Sequence, residues 1–179
     1  MNAIKFLFLC LIIVLFHSCI TNASKEKCKD SIVSEQFVIT DSLTIVVDSC
    51  LQRVESVKLF KLNQPLFVIV VWGNCHVCIH EIYKWADFIE TNNLCNFQTL
   101  LIISTDNPKY FIKFYYHELL TIGALVIDSN DTIAKMNRLC KLRPDRNVFL
   151  LDENKKVVIQ GDPFVYPELM QRYLEAMKK

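Results

Sequence analysis

Cys75 and Cys78 are the residues whose type and spacing most directly imply chemistry. Thiols at positions i and i+3 are neighbours on a helix. At a helix N-terminus the macrodipole and the unpaired N–H groups of the first turn favour the thiolate. The chain puts the two cysteines there. Leu66 to Val71 is an unbroken apolar run, which reads as a strand buried on both faces. Trp72-Gly73-Asn74 follows, and then Cys78, Ile82, Trp85 and Ile89 recur along one helical face. This arrangement suits thiol–disulfide exchange.

Other chemistries fit less well. A metal site would draw on Cys75, Cys78 and either His80 or His76. Tetrahedral zinc wants a fourth ligand, and there is no second Cys-x-x-Cys. Copper(I) is content with two or three soft ligands, so copper handling stays open as a lesser alternative. His80 is expected on a helix surface, His117 in an aromatic-rich helix that packs or faces solvent, and His17 in an N-terminal leader. A peroxidase built on one cysteine wants a Pro/Thr-rich surround that Trp72-Gly73-Asn74 lacks. Lys and Arg total 20 against 19 acids, a net charge of +1, which excludes a basic nucleic-acid surface. With three glycines, Gly73, Gly123 and Gly161, no Gly-rich phosphate loop can be built.

Short β-rich runs at 37–40 and 43–47 predict a hairpin around Asp41-Ser42. After the helix that carries Cys78, Asn92-Asn93 is its stop and Phe97 to Ile103 a second buried strand. Asn107-Pro108 supplies an N-cap and first-turn proline for a helix bearing Phe111, Phe114, Tyr115 and Leu119. Ala124 to Ile127 is a third core strand, followed by a short helix over about 131–139. Asn147 to Leu151 and Lys155 to Ile159 flank Asp152-Glu153-Asn154 as a hairpin. A last helix starts near Pro167 with Leu169, Tyr173, Leu174 and Met177 inward. The order from the Cys strand onward is that of an α/β core ending in a hairpin and a helix. Trp85 is expected in the core, and Trp72 either there or beside the cysteines.

The first residues carry Lys5 and then an apolar stretch from Phe6 to Phe16, short for a membrane span and suited to a signal h-region. Leu15-Phe16-His17-Ser18-Cys19 resembles a loose bacterial lipobox, with Phe16 and His17 departing from its preferred residues. The expected organisation is a lipoprotein-type signal at 1–18, a lipidated Cys19 with a polar tether to 36, and a single domain at 37–179. Diacylation at Cys19 would give a stable anchor. The chain has eight cysteines, and outside the leader and the Cys pair, Cys28, Cys50, Cys95 and Cys140 stay ambiguous between an accessory disulfide and free thiols.

The run Val68-Ile69-Val70-Val71-Trp72-Gly73-Asn74-Cys75-His76-Val77-Cys78 and the run Val148-Phe149-Leu150-Leu151-Asp152-Glu153-Asn154-Lys155-Lys156-Val157-Val158 together resemble the thioredoxin-like superfamily. The second resembles that family's strand–turn–strand ending "FLID-x-x-G-x-V". With the lipoprotein-like start, the chain looks most like exported, membrane-tethered thiol–disulfide oxidoreductases. The resemblance implies a three-layer α/β/α sandwich with a central mixed sheet ending in a β-hairpin and a C-terminal helix. It implies a bacterial envelope location, no metal or organic cofactor, protein disulfide or dithiol substrates, and a membrane electron-transfer partner. Cys75 would attack and Cys78 resolve, as their expected positions at the helix end and one turn inward also argue. His76 would stabilise the thiolate if protonated. Related oxidants have a histidine just before the second cysteine, where this chain has Val77, so the electron direction stays open.

Two departures stand against full resemblance. The family's cis-proline site, counted back from Asp152, falls on Arg146, and Pro144 lies two residues early. Such enzymes also often bury an acid in the strand before the Cys pair, and residues 66–71 contain none. These departures keep a second reading open, a non-catalytic thioredoxin-like lipoprotein that acts as a binding or scaffold module.

Overall fold

The computed structural model describes residues 36–56, 64–92, 98–119, 122–139 and 144–177. The expected leader and tether to residue 35, with Cys10, Cys19 and Cys28, lie outside the described residues, as do Cys95 and Cys140. The elements are β1 (Ser42–Val47), β2 (Cys50–Glu55), β3 (Leu66–Trp72), α1 (His76–Thr91), β4 (Thr99–Ser104), α2 (Pro108–Leu119), β5 (Ala124–Asp128), α3 (Thr132–Met136), a 3-10 turn (Pro144–Arg146), β6 (Val148–Leu151), β7 (Val157–Gln160) and α4 (Pro167–Met177). They form one mixed sheet in the order β2-β1-β5-β4-β3-β6-β7.

β3 is apolar throughout because both its edges and both its faces are covered. It pairs in parallel with β4, from Phe67↔Thr99 to Trp72↔Ser104, and antiparallel with β6, from Leu66↔Leu151 to Ile69↔Val148. All its residues are buried. Phe67, Ile69 and Val71 pack with Ile82 and Trp85 of α1 and Tyr173 of α4. The alternate residues Leu66, Val68 and Val70 pack on the opposite face with Phe37 and with Ile133 of α3. The result is the expected α/β/α sandwich. Successive parallel crossovers, β3-α1-β4 and β4-α2-β5, step the same way across the sheet, which puts α1 and α2 in one layer.

Trp85 is the anchor of the α1 layer, at 2% exposure. Its ring lies 5.0 Å from Phe67, 5.7 Å from Phe88 and 4.9 Å from Phe164. Tilted and edge-to-face aromatic pairs add roughly 0.5–1.5 kcal/mol each beyond burial. α4 is pinned by the Tyr173 hydroxyl, which donates to the Gly161 carbonyl at 3.0 Å. The end of α1 and the start of α2 follow the expected signals, whereas the helix expected over about 131–139 is confined to Thr132–Met136, closed by Asn137 and the left-handed Arg138. Asn107 Oδ1 accepts the Tyr110 N–H at 3.2 Å, and Asn92 caps the end of α1.

The N-terminal hairpin differs from expectation. Its strands are β1 and β2, and its turn is Asp48-Ser49 rather than Asp41-Ser42. Both turn residues have positive φ, 48° and 64°, as a tight two-residue hairpin requires. No glycine marks the position. Residues 37–40 form no strand; the Phe37 N–H donates to the Lys155 carbonyl at 3.0 Å, and at Val38 the Asn137 side chain takes the place of a strand partner. Its Oδ1 accepts the Val38 N–H and its Nδ2 donates to the Val38 carbonyl, both at 2.8 Å.

The second hairpin carries its own departure. Lys155 sits where the resembled ending "FLID-x-x-G-x-V" has glycine, and its φ is +63°. Asp152 Oδ1 holds the turn by accepting the N–H groups of Asn154 and Lys156 at 2.8 and 2.9 Å. The left-handed conformation costs a non-glycine residue roughly 1–2 kcal/mol. Lys155→Gly should therefore raise the unfolding free energy by about 0.5–1 kcal/mol once glycine's greater chain entropy is set against the relieved strain. Urea denaturation measures this, and a lowered midpoint would show that the lysine stem contributes more than the strain costs.

Candidate active site

β3 ends at Trp72, and α1 begins at His76. The connection between them is held down on β4. The Gly73 N–H donates to the Ser104 carbonyl at 2.8 Å, and the Cys75 N–H to the Trp72 carbonyl at 3.0 Å. A side chain at Gly73 would meet Ile103 Cγ2 at 2.8 Å and Thr105 Cβ at 3.0 Å, so the close approach depends on glycine. Asn74 ties the connection to the next loop. Its Oδ1 accepts from the Thr105 hydroxyl at 2.8 Å, and its Nδ2 donates to Asp106 Oδ1 at 2.7 Å.

Cys75 is the N-cap of α1, and its Sγ accepts the Cys78 N–H at 3.2 Å. Cys75 and Cys78 are joined by a disulfide, with Cα atoms 5.2 Å apart. Both are half-buried, and Cys78 packs against the α1-side core as its helical position requires. His76 is the first residue of α1 and is exposed, as is Val77. Trp72 is 5% exposed, and its indole Nε1 has no hydrogen-bond partner. Cys50 is an exposed free cysteine.

Pro144 opens the 3-10 turn that Arg146 closes, so the proline and the position expected for the family's proline lie in one turn. The bond before Pro144 involves Arg143, outside the described residues, and no peptide bond among the described residues is cis. The Asn147 carbonyl, just after the turn, accepts the Val70 N–H at 2.9 Å and docks it against β3. His80 is exposed, with its ring 6.0 Å from Tyr83, and His117 is exposed beside Tyr116. Among the described residues no group of three His, Cys, Asp or Glu side chains is arranged to hold a metal ion. No helix among them is long and apolar enough to cross a membrane.

A cavity of about 290 Å³ opens beside Cys78. Trp72, Val77, Cys78, Val148, Phe164 and Val165 are among the residues that line it. Asp162 also lines it and is 6% exposed. Its backbone N–H donates to the Asp145 carbonyl at 2.7 Å, and its Oδ1 accepts the Phe164 N–H at 2.8 Å. Burial pushes the Asp162 carboxyl above the usual carboxylate range. Glu81 and Asp145 push the same way, while the Phe164 N–H and Lys84 oppose. Sequence reasoning missed this acid. It looked for one within β3, whereas Gly161-Asp162-Pro163 reads only as a chain break. The order β3-β6-β7 brings it to the cavity that Cys78 also lines.

This carboxyl has a stability signature. Its folded pKa is raised above the ordinary 3.8, so the folded state holds the proton more tightly than the unfolded chain. The resulting stabilisation is present below pH 3.8 and lost as pH rises through the folded pKa, above which the buried carboxylate is a net cost. Asp162→Asn keeps an oxygen for the Phe164 N–H and removes that cost. It should raise the melting temperature at neutral pH, with the advantage vanishing below pH 3.8. Thermal melts at both pH values test this. An Asn variant less stable at neutral pH would contradict it.

No protein-family model and no curated protein sequence matches the chain. Solved structures do. A thiol-disulfide oxidoreductase from Bacteroides fragilis is similar at a TM-score of 0.56 and 14% identity, covering 76% of this chain and 98% of that one. A thioredoxin-like protein from Porphyromonas gingivalis matches at 0.57 and 17% identity, covering 81% and 94%. AhpC from Mycobacterium tuberculosis matches at 0.57 and 16% identity, covering 83% and 94%. At such identities the likeness speaks to the fold. Together with the sheet order and the cysteines at the entry to α1, it establishes that this chain has the thioredoxin-like fold.

Proposed function

We propose that this protein is an exported thiol–disulfide oxidoreductase, lipid-anchored through Cys19, that exchanges disulfides with partner proteins. The observation that carries the reading is Cys75 Sγ at the N-cap of α1, accepting the Cys78 N–H, with Cys78 one turn inward. Cys75 is the attacking thiol, because its thiolate is favoured by the first-turn N–H groups. Cys78 resolves the mixed disulfide from the core side. Trp72, His76 and the turn that begins at Pro144 frame the exchange. The dithiol is itself the redox group, so no cofactor is invoked. The organisation that goes with this is a signal at 1–18, a tether from Cys19 to 36, and a domain at 37–179 in the bacterial envelope. A reductive role draws electrons from a membrane partner, since an exported compartment would otherwise leave the cysteines oxidised. The structure described as a thiol-disulfide oxidoreductase supports this reading by its fold.

A glutathione titration of the full-length chain, with thiol trapping at Cys75 and Cys78, tests the redox reading. The expected result is a reversible two-electron transition. A potential at or below about −230 mV assigns a reductase, and one near −120 mV an oxidant. In cells, Cys78→Ser should accumulate mixed disulfides with partner proteins and Cys75→Ser should not. If no reversible disulfide forms and Cys78→Ser traps nothing, the protein is a binding module instead. The anchor is tested separately. Cys19→Ser should abolish incorporation of labelled fatty acid and release the protein from the membrane fraction, and unchanged fractionation without any label would remove the lipoprotein assignment.

A further inference from the structure

The two thiols reach solvent by different routes. Cys75 sits at the helix end, where first-turn N–H groups serve it. Cys78 is backed by core side chains and lines the cavity of about 290 Å³. That cavity has room for several waters, each of which occupies about 30 Å³ in the liquid. Its charged lining is Glu81 and Lys84 from α1, Asp145 from the 3-10 turn and Asp162 from the segment after β7. Of the acids, Asp162 is the deeply buried one. Tyr173 of α4 interacts electrostatically with it, and the Tyr173 hydroxyl is held by the Gly161 carbonyl.

We propose that Asp162 is the proton acceptor for Cys78, acting through water in this cavity and supplying from the exit of β7 the acid that β3 lacks. The inference rests on the oxidoreductase reading above. The step begins with substrate bound to Cys75 as a mixed disulfide. The Cys78 thiol gives its proton to the Asp162 carboxylate, and the Cys78 thiolate attacks Cys75 Sγ. The Cys75–Cys78 disulfide forms, the bond from Cys75 to substrate breaks, and the substrate leaves as a thiolate. The proton on Asp162 then passes through the open cavity to the departing thiolate or to solvent. Run in reverse, the protonated carboxyl returns the proton to Cys78 as the internal disulfide opens. A free cysteine titrates near 8.5, so an ordinary carboxylate is a weak base toward it. Burial beside Glu81 and Asp145 raises the Asp162 carboxyl and narrows that gap.

The test separates attack from resolution. Reduced full-length protein in which every cysteine except Cys75 and Cys78 is replaced by serine, the exposed Cys50 included, is mixed with 5,5′-dithiobis(2-nitrobenzoate). The first thionitrobenzoate released reports attack by Cys75, and the second reports resolution by Cys78. Asp162→Asn should slow the second release about tenfold or more at neutral pH. The acid-side limb of that phase's pH profile should disappear, while the first release stays within about twofold of the unaltered protein. A second phase with the same rate and pH profile in both proteins overturns the inference and leaves the oxidoreductase reading standing. A missing second phase in the unaltered protein sinks both. Should Asp162→Asn fail to fold, carbon-13 carboxyl titration of the reduced, unaltered protein decides. An Asp162 curve with a second inflection that vanishes in Cys78→Ala supports the coupling, and one indifferent to Cys78 overturns it.

Discussion

The pairing of β3 on both edges is the constraint from which the site's geometry follows. Parallel pairing with β4 brings Thr105 and Asp106 to Asn74, which fixes the connection leading into Cys75. Antiparallel pairing with β6 brings in the turn that carries Asp145, and β7 beyond it delivers Asp162. The two flanks of the Cys pair are therefore set by backbone hydrogen bonds of a fully buried strand. Such a site is rigid without needing long side chains to reach across it.

The same constraint accounts for where the acid lies. A carboxyl inside β3 would sit in one of two dry layers, packed against α1 or against α3 and Phe37. Every position of the strand is given instead to Leu, Phe, Val, Ile or Trp. Asp162 stands where the chain leaves the sheet. There a free N–H from Phe164 and the cation of Lys84 offset part of the cost of burial.

What could be read from the sequence follows the same division between local and distant determinants. β3 and α1 were legible because full burial gives an unbroken apolar run, and one-sided burial a helical stripe through Ile82, Trp85 and Ile89. The Cys pair was legible because its geometry is made within one helical turn. β2 was not. It is an edge strand of Cys-Leu-Gln-Arg-Val-Glu, exposed almost throughout, so no alternation betrays it. The segment at 37–40 was misread because its backbone partners, the Lys155 carbonyl and the Asn137 side chain, lie far along the chain. Asp162 escaped for the same reason, since its nearness to Cys78 exists only in the order of the strands.

The arrangement treats the two sulfurs asymmetrically, and this bears on how the disulfide is tuned. Cys75 Sγ accepts a backbone N–H of α1, that of Cys78, an interaction that salt screens little because it is partly desolvated. His76, being exposed, adds only a screened charge. Cys78 lies in the first turn of α1 but packs against the core and lines the cavity that Glu81, Asp145 and Asp162 also line. On the proposed reading, attack draws on a fixed dipole and resolution on a titratable group. That separation follows from placing one thiol at the end of a helix and the other in a cavity that a buried carboxyl also lines.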